Sequence, residues 1–105
     1  MHGADCVEGE VDPETAQVKI LKAIGAHDVG KAINPVNCEG QNEDGLVHGI
    51  GPALCEQMLI GPRGEVQNTF LLDYKICRVL DVPDITPLII EATHRDGPYG
   101  AKRIG

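Results

Sequence analysis

Pro52 falls in the middle of the chain's longest apolar stripe, and few local structures accommodate that. Leu46, Ile50, Leu54 and Met58 recur every four residues, the spacing that gathers side chains on one face of an α-helix. Upstream, Asn34-Pro35 is a good helix start, because Asn caps free amides and Pro is tolerated at the first helical position. A helix from Asn34 to about Ile60 is therefore expected. Within it Pro52 removes one hydrogen bond and costs about 3 kcal/mol, so the helix must bend or restart within one turn of that residue. Gly45 and Gly49 form a second stripe, expected to let the backbone of a sheet approach closely.

The flanking segments supply that sheet. Cys6 to Val11 and Gln17 to Ala26 read as two strands, joined by Asp12-Pro13-Glu14-Thr15. Pro presets φ for the turn, and Asp bonds forward to the backbone. In the second strand Val18, Ile20 and Ile24 share one face by period two, while Lys22 interrupts it and Leu21 points away. That pattern fits a bulge or a two-sided environment. Beyond the helix, Glu65 to Ile76 reads as extended, with Phe70, Leu72, Tyr74 and Ile76 alternating. Pro87 to Ala92 is a short apolar strand, and Asp96 to Gly105 a Gly-rich loop. The order, a strand hairpin, one long helix and further strands, predicts an α+β fold. At 105 residues, the expectation is a single domain covering 1–105.

Composition narrows the function classes. The formal net charge of −7 opposes the positive field that nucleic-acid binding requires. No apolar run reaches the roughly 18–20 residues that span a bilayer, and the N-terminus has no basic segment followed by an apolar one. The four cysteines stand at 6, 38, 55 and 77, with no C-x-x-C pair. This spacing fits reduced thiols in the cytoplasm better than a zinc or iron–sulfur site.

Three short patterns invite a chemical reading. Gly25-Ala26-His27-Asp28-Val29-Gly30-Lys31-Ala32 nearly spells a phosphate-cradling loop. Ala32, however, has no hydroxyl for a metal, and Asn34-Pro35 falls where the helix should already be under way. His27-Asp28 is not a natural acid–base dyad, because neighbours on an extended chain point to opposite faces. His48 and Cys55 share a helical face, with no third ligand at metal spacing. The polar run Gly40-Gln41-Asn42-Glu43-Asp44-Gly45 reads first as an exposed face near the helix start, where carboxylates suit the dipole. Gln41 also carries an amide that donates and accepts together, as recognition of a heterocycle edge requires.

The order of segments is informative as a whole. Glu10-Val11-Asp12-Pro13-Glu14-Thr15 is followed by Gln17-Val18-Lys19-Ile20-Leu21 and by His27-Asp28-Val29-Gly30-Lys31-Ala32-Ile33-Asn34-Pro35. Glu39-Gly40-Gln41, Gly49-Ile50-Gly51, Leu72-Asp73-Tyr74-Lys75-Ile76, Asp81-Val82-Pro83 and Gly97-Pro98-Tyr99-Gly100-Ala101-Lys102 complete the series. Together they closely resemble the C-terminal part of the molybdenum-cofactor-binding large subunit of the xanthine dehydrogenase/aldehyde oxidase family. The resemblance implies an oxidoreductase that hydroxylates purines, N-heterocycles or aldehydes with oxygen from water. It implies molybdopterin as cofactor, Gln41 as a contact to its pterin, and iron–sulfur and flavin modules as electron-transfer partners.

It also implies what a piece of this kind lacks. In the family the segment resembling Gly97 to Gly105 runs into a catalytic glutamate, so no catalytic residue and no metal ligand is assigned here. Asn42, Asp44, Pro52 and Cys77 depart from the family's usual residues. The leading expectation is a fragment of a molybdopterin-binding domain, inactive and without cofactor in isolation. The alternative is a free-standing α+β module for binding or assembly. Unpaired strand edges and apolar surface predict a homodimer for the isolated chain.

Overall fold

The computed structural model describes residues 2–104. β1 (Gly3–Val11) and β2 (Val18–Asp28) form an antiparallel hairpin. The helix α1 (Pro35–Ile50) follows, then a π-helical turn, Gly51–Cys55, and a short 3₁₀ turn, Val79–Asp81. β3 (Asp84–Ile90) returns parallel to β2, giving a three-stranded sheet in the order β1-β2-β3. The fold is α+β, as expected. Pro87 is tolerated in β3 because that strand lies at the sheet edge, where a missing donor leaves no ladder partner stranded.

The hairpin turn works through Asp12. Its carboxylate accepts from the Glu14 amide at 2.9 Å and from the Thr15 hydroxyl at 2.7 Å. These bonds, Thr15 first, lower the Asp12 pKa. The register then slips: Glu8 faces Lys22, but Gly9 faces Ile20. Leu21 is the extra residue of a β-bulge, one of the two readings the interrupted pattern allowed. The bulge shifts the parity of β2. Val18 and Ile20 face α1 across an apolar cleft, whereas farther along it is Gly25 that meets Asn42 and Leu46 of the helix. Ile24, expected beside Val18 and Ile20, is turned to the other face by alternation.

Asn34 caps α1 as expected, accepting from the Asn37 amide at 3.2 Å, with Pro35 in the first turn. The α-helix stops at Ile50. The Glu56 amide bonds the Gly51 carbonyl at 2.9 Å, an i→i+5 bond around the residue that has no N–H to give. Widening to a π-turn is how the chain absorbs Pro52. The helical run closes at Cys55, short of Ile60.

Two expectations are corrected. Among the described residues no atom outside their own helix backbone lies within 4 Å of a Cβ added at Gly45 or Gly49, so no other backbone approaches them closely. The close approach is at Gly25, where a Cβ would collide with Asn42 Oδ1 and lie 3.0 Å from Leu46 Cδ1. The segment from Glu65 to Ile76 forms no strand; beyond an isolated Ile60–Val66 bridge it runs through turns. Phe70, Leu71 and Leu72 are exposed there. A strand needs a neighbour to satisfy its backbone, and no strand lies alongside it among the described residues.

The core is small. Among the described residues Ala23, Val29 and Ile50 are the buried apolar side chains, while every residue of β1 is exposed. The radius of gyration is 17.4 Å, against about 13 Å for a compact domain of this length. Much apolar surface therefore faces outward.

Candidate functional site

Several polar groups converge where β2 ends and α1 begins. β2 runs into Asp28, which is 8% exposed, and the chain then turns sharply at Gly30, whose φ is +67°. Asp28 Oδ1 accepts from the Gly30 amide at 3.0 Å, and more weakly from the Ala92 amide at 3.4 Å. Its other oxygen takes the Lys102 ammonium in a nearly buried ion pair. The Lys102 bond first, and the Gly30 amide next, hold the Asp28 carboxyl down at about 2.

This carboxylate docks the C-terminal loop. The Lys102 amide donates to the Val29 carbonyl at 2.8 Å, and the Lys31 amide to the Gly100 carbonyl at 2.9 Å. Gly30 pairs with Ala101 in an isolated antiparallel bridge. On the outer side, Glu91 accepts from the Ala32 amide at 2.7 Å and lies 3.2 Å from the Lys31 ammonium. The Ala32 amide, then Lys31, lower the Glu91 pKa.

Between this docked loop and the first turns of α1 lies a cleft of about 270 Å³. Gln41, Asn37 and Cys38 line it from the helix, Lys31 from the turn, and Lys102 and Ile104 from the loop. Gln41 is exposed, one helical turn above Asn37 and beside the amide end of α1. Its carboxamide offers donor and acceptor together. Both lysines are already matched by carboxylates, so the cleft presents neutral hydrogen-bonding groups more than free positive charge. Val29, Ile33, Ala101 and Ile104 add apolar surface to the same lining.

The rejected patterns fall into place. β2 continues through Asp28 and α1 starts only at Pro35, so no helix end follows Gly30 as a phosphate loop demands. His27 and Asp28 point apart: His27 Nε2 lies 3.7 Å from Asp5, while Asp28 turns inward to Lys102. His48 is exposed and contacts Asp44 one turn back. Among the described residues no group of three or more His, Cys, Asp or Glu side chains could hold a metal ion.

The Asp28–Lys102 lock went unread in the sequence. Its local half was visible, since Asp two residues before Gly is the signature of a side chain bonding its own backbone. Its distant half, Lys102, carries no mark in spacing or period.

Comparison with known proteins identifies the family of the chain. The molybdopterin cofactor-binding domain family matches residues 1–83. The putative xanthine dehydrogenase molybdenum-binding subunit XdhA of Escherichia coli K12 is 36% identical over 104 residues, 98% of this chain and 14% of that protein. Subunit gamma of the 6-hydroxypseudooxynicotine dehydrogenase complex of Paenarthrobacter nicotinovorans is 33% identical over 99% of this chain and 13% of its own length. Among solved structures, quinoline 2-oxidoreductase from Pseudomonas putida 86 superposes with a TM-score of 0.89 at 33% identity, over 95% of this chain and 13% of that one. The chain thus spans about one seventh of the length of these two curated relatives.

Proposed function

The chain belongs to the molybdopterin cofactor-binding domain family, and we propose that residues 1–105 supply one wall of the cofactor pocket in a larger oxidoreductase subunit. When bound, the cofactor supplies a molybdenum centre for oxidative hydroxylation of purines, N-heterocycles or aldehydes with oxygen from water. Gln41 is the residue of this chain that contacts the pterin. Its exposed carboxamide, set in a cleft between α1 and the docked 101–104 loop, is the observation that carries the reading. Asn34 takes no part, because its side chain is spent on the helix cap. Lys102 acts indirectly by pinning the loop that closes the cleft.

The reaction itself lies outside this chain. No base is assigned within it, and its partners are the remainder of the molybdenum subunit and the iron–sulfur and flavin modules. Among the described residues no helix is long and apolar enough to cross a membrane. The cysteine spacing, which fits reduced thiols, is what leads us to place the protein in the cytoplasm. The isolated chain holds no cofactor and turns over no substrate, since a single wall cannot enclose a pterin. Its exposed β1 and apolar cleft favour a homodimer, which sedimentation equilibrium across a wide concentration range tests; a monomer at high micromolar concentration removes the dimer.

The test of the main reading is a graft. This chain replaces the matching segment of the E. coli subunit, and molybdenum content is measured by mass spectrometry. Gln41→Ala in the graft should lower molybdenum retention by about tenfold, the loss of roughly one good hydrogen-bonding contact. Equal retention with and without the carboxamide removes Gln41 from the site. A graft that folds but holds no molybdenum with Gln41 intact defeats the reading as a whole.

A further inference from the structure

Two thiols flank the irregular segment 56–76 and stand on one side of the fold. Cys55 closes the π-turn, and Cys77 leads into the 3₁₀ turn at Val79–Asp81. A Cβ placed on Gly51, at the start of the π-turn, would stand 3.9 Å from the Cβ of Cys77. Cys55 lines one cleft with Ile76 and Arg78, the two residues that flank Cys77. Both thiols are free and half-buried. That cleft, of about 600 Å³ and shared also with Lys75 and Asp81, admits a small oxidant. The cofactor cleft lies at the other end of α1 and uses neither thiol.

We propose that Cys55 and Cys77 form a reversible disulfide that staples the π-turn to the 3₁₀ turn and closes the 56–76 segment into a loop. With hydrogen peroxide as oxidant, the Cys55 sulfur attacks the O–O bond, giving a sulfenic acid and one water. The Cys77 sulfur then attacks that sulfenic sulfur; the S–S bond forms, and the hydroxide leaves with the Cys77 proton as a second water. Two thiols lose two electrons and peroxide gains them, so the step balances. Burial, and then the neighbouring Cys55, push the Cys77 thiol pKa up. That slows its own encounter with peroxide and gives it the second role. The bland alternative is that the two thiols merely pack together.

The reasons to expect this pair rather than another are geometric. Cys6 lies on β1 and Cys38 on the first turns of α1, in other parts of the fold. In an unfolded chain, loop entropy slightly favours the shorter Cys38–Cys55 closure over Cys55–Cys77. A native preference for Cys55–Cys77 therefore reports the folded arrangement.

The full chain is treated with hydrogen peroxide, in buffer and in urea, then alkylated and digested with trypsin without reduction. The expected product links peptide 32–63 to peptide 76–78, with fragmentation placing the bond on Cys55 rather than Cys38. It should exceed the Cys38–Cys55 product by at least about tenfold in buffer and lose that lead in urea, where chain entropy alone decides. Dithiothreitol should reverse it, and trypsin should cut more slowly at Arg63 and Lys75 in the oxidised chain. Sulfinic acid at either position without a link overturns the proposal. So does a pattern of links in buffer identical to that in urea.

Discussion

Replacing Gly30 by Ala tests whether the C-terminal loop is docked as described. At a φ of +67° an L side chain costs roughly 1–2 kcal/mol relative to glycine. The added Cβ would also collide with the Gly100 carbonyl oxygen and lie 2.9 Å from the Lys102 amide nitrogen and 3.0 Å from its Cγ. Much of that wall is backbone, which yields only by moving the loop, and overpacking of this kind costs about 1–3 kcal/mol. Together the two effects reach about 2–5 kcal/mol. The bonds at stake are the Lys31 and His94 amides to Gly100 and the Lys102 amide to Val29, each about 0.5–1.5 kcal/mol net. The Asp28–Lys102 pair joins them, and a hydrogen bond to a charged group contributes about 1.5–3 kcal/mol. The strain is of the same order as this sum, so the loop should open far more often. Hydrogen exchange reads this directly: protection of the Lys31, His94 and Lys102 amides should fall by about 30-fold or more, while that of the β1–β2 ladder stays. Gly64→Ala is the control, because its φ is +83° but nothing lies within 4 Å of the new Cβ. It pays the conformational cost alone and should leave those amides unchanged. Protection within threefold of the parent in Gly30→Ala would refute the docking.

Three further outcomes are expected. Asp28 is held at about 2, below its usual 3.8; a depressed carboxylate stabilises the fold above the unfolded value and loses that contribution as pH falls through the folded one. Amide shifts of Gly30 and Lys102 should therefore report loop release between pH 3.8 and about 2, and Asp28→Asn should abolish that transition. Asn42→Asp removes the donor to the Gly25 carbonyl, now bonded at 2.6 Å, and sets a charge beside an Oδ1 that already has no partner. A loss of at least about 3 kcal/mol in urea unfolding follows from an unpaired buried carboxylate, and a change under about 0.5 kcal/mol would contradict the burial of this side chain. Pro52→Ala restores the N–H that α1 needs, so the π-turn should revert to α-helix with a gain of about 1–3 kcal/mol; unchanged stability and helix content would mean that something else widens the turn.

Local signals in the sequence were reliable wherever the structure they specify is local. The Asp12 turn, the Asn34 cap and the break at Pro52 each depend on a few adjacent residues, and each stands where expected. The alternation of Phe70, Leu72, Tyr74 and Ile76 misled, because period two reports faces and says nothing about whether a neighbouring strand exists. The glycine stripe misled for a related reason. A small residue permits close approach without producing it, and the approach occurs at Gly25 beneath Asn42. The irregularity at Leu21 was legible, but not whether it was a bulge or a two-sided strand, since that required knowing which face α1 covers. At the proposed site, chemistry alone read Gln41 first as part of an exposed helix face, and only the resemblance of the surrounding segments pointed to a pterin contact. Lys102 could not be singled out, because only the fold brings it back to Asp28.

The parallel pairing of β2 with β3 also dictates an order of assembly. The β1–β2 hairpin closes through a turn of a few residues and can form within microseconds. β3 must wait until the whole connection from Val29 to Pro83, α1 included, has been drawn back across the sheet. Such long closures are entropically slow. Until then, the edge of β2 that will receive β3 stands bare beside a hairpin that is already ordered. A nascent chain is thus most vulnerable to joining a stranger's strand after the hairpin has set and before β3 arrives, and slow elongation through the connection would lengthen that interval.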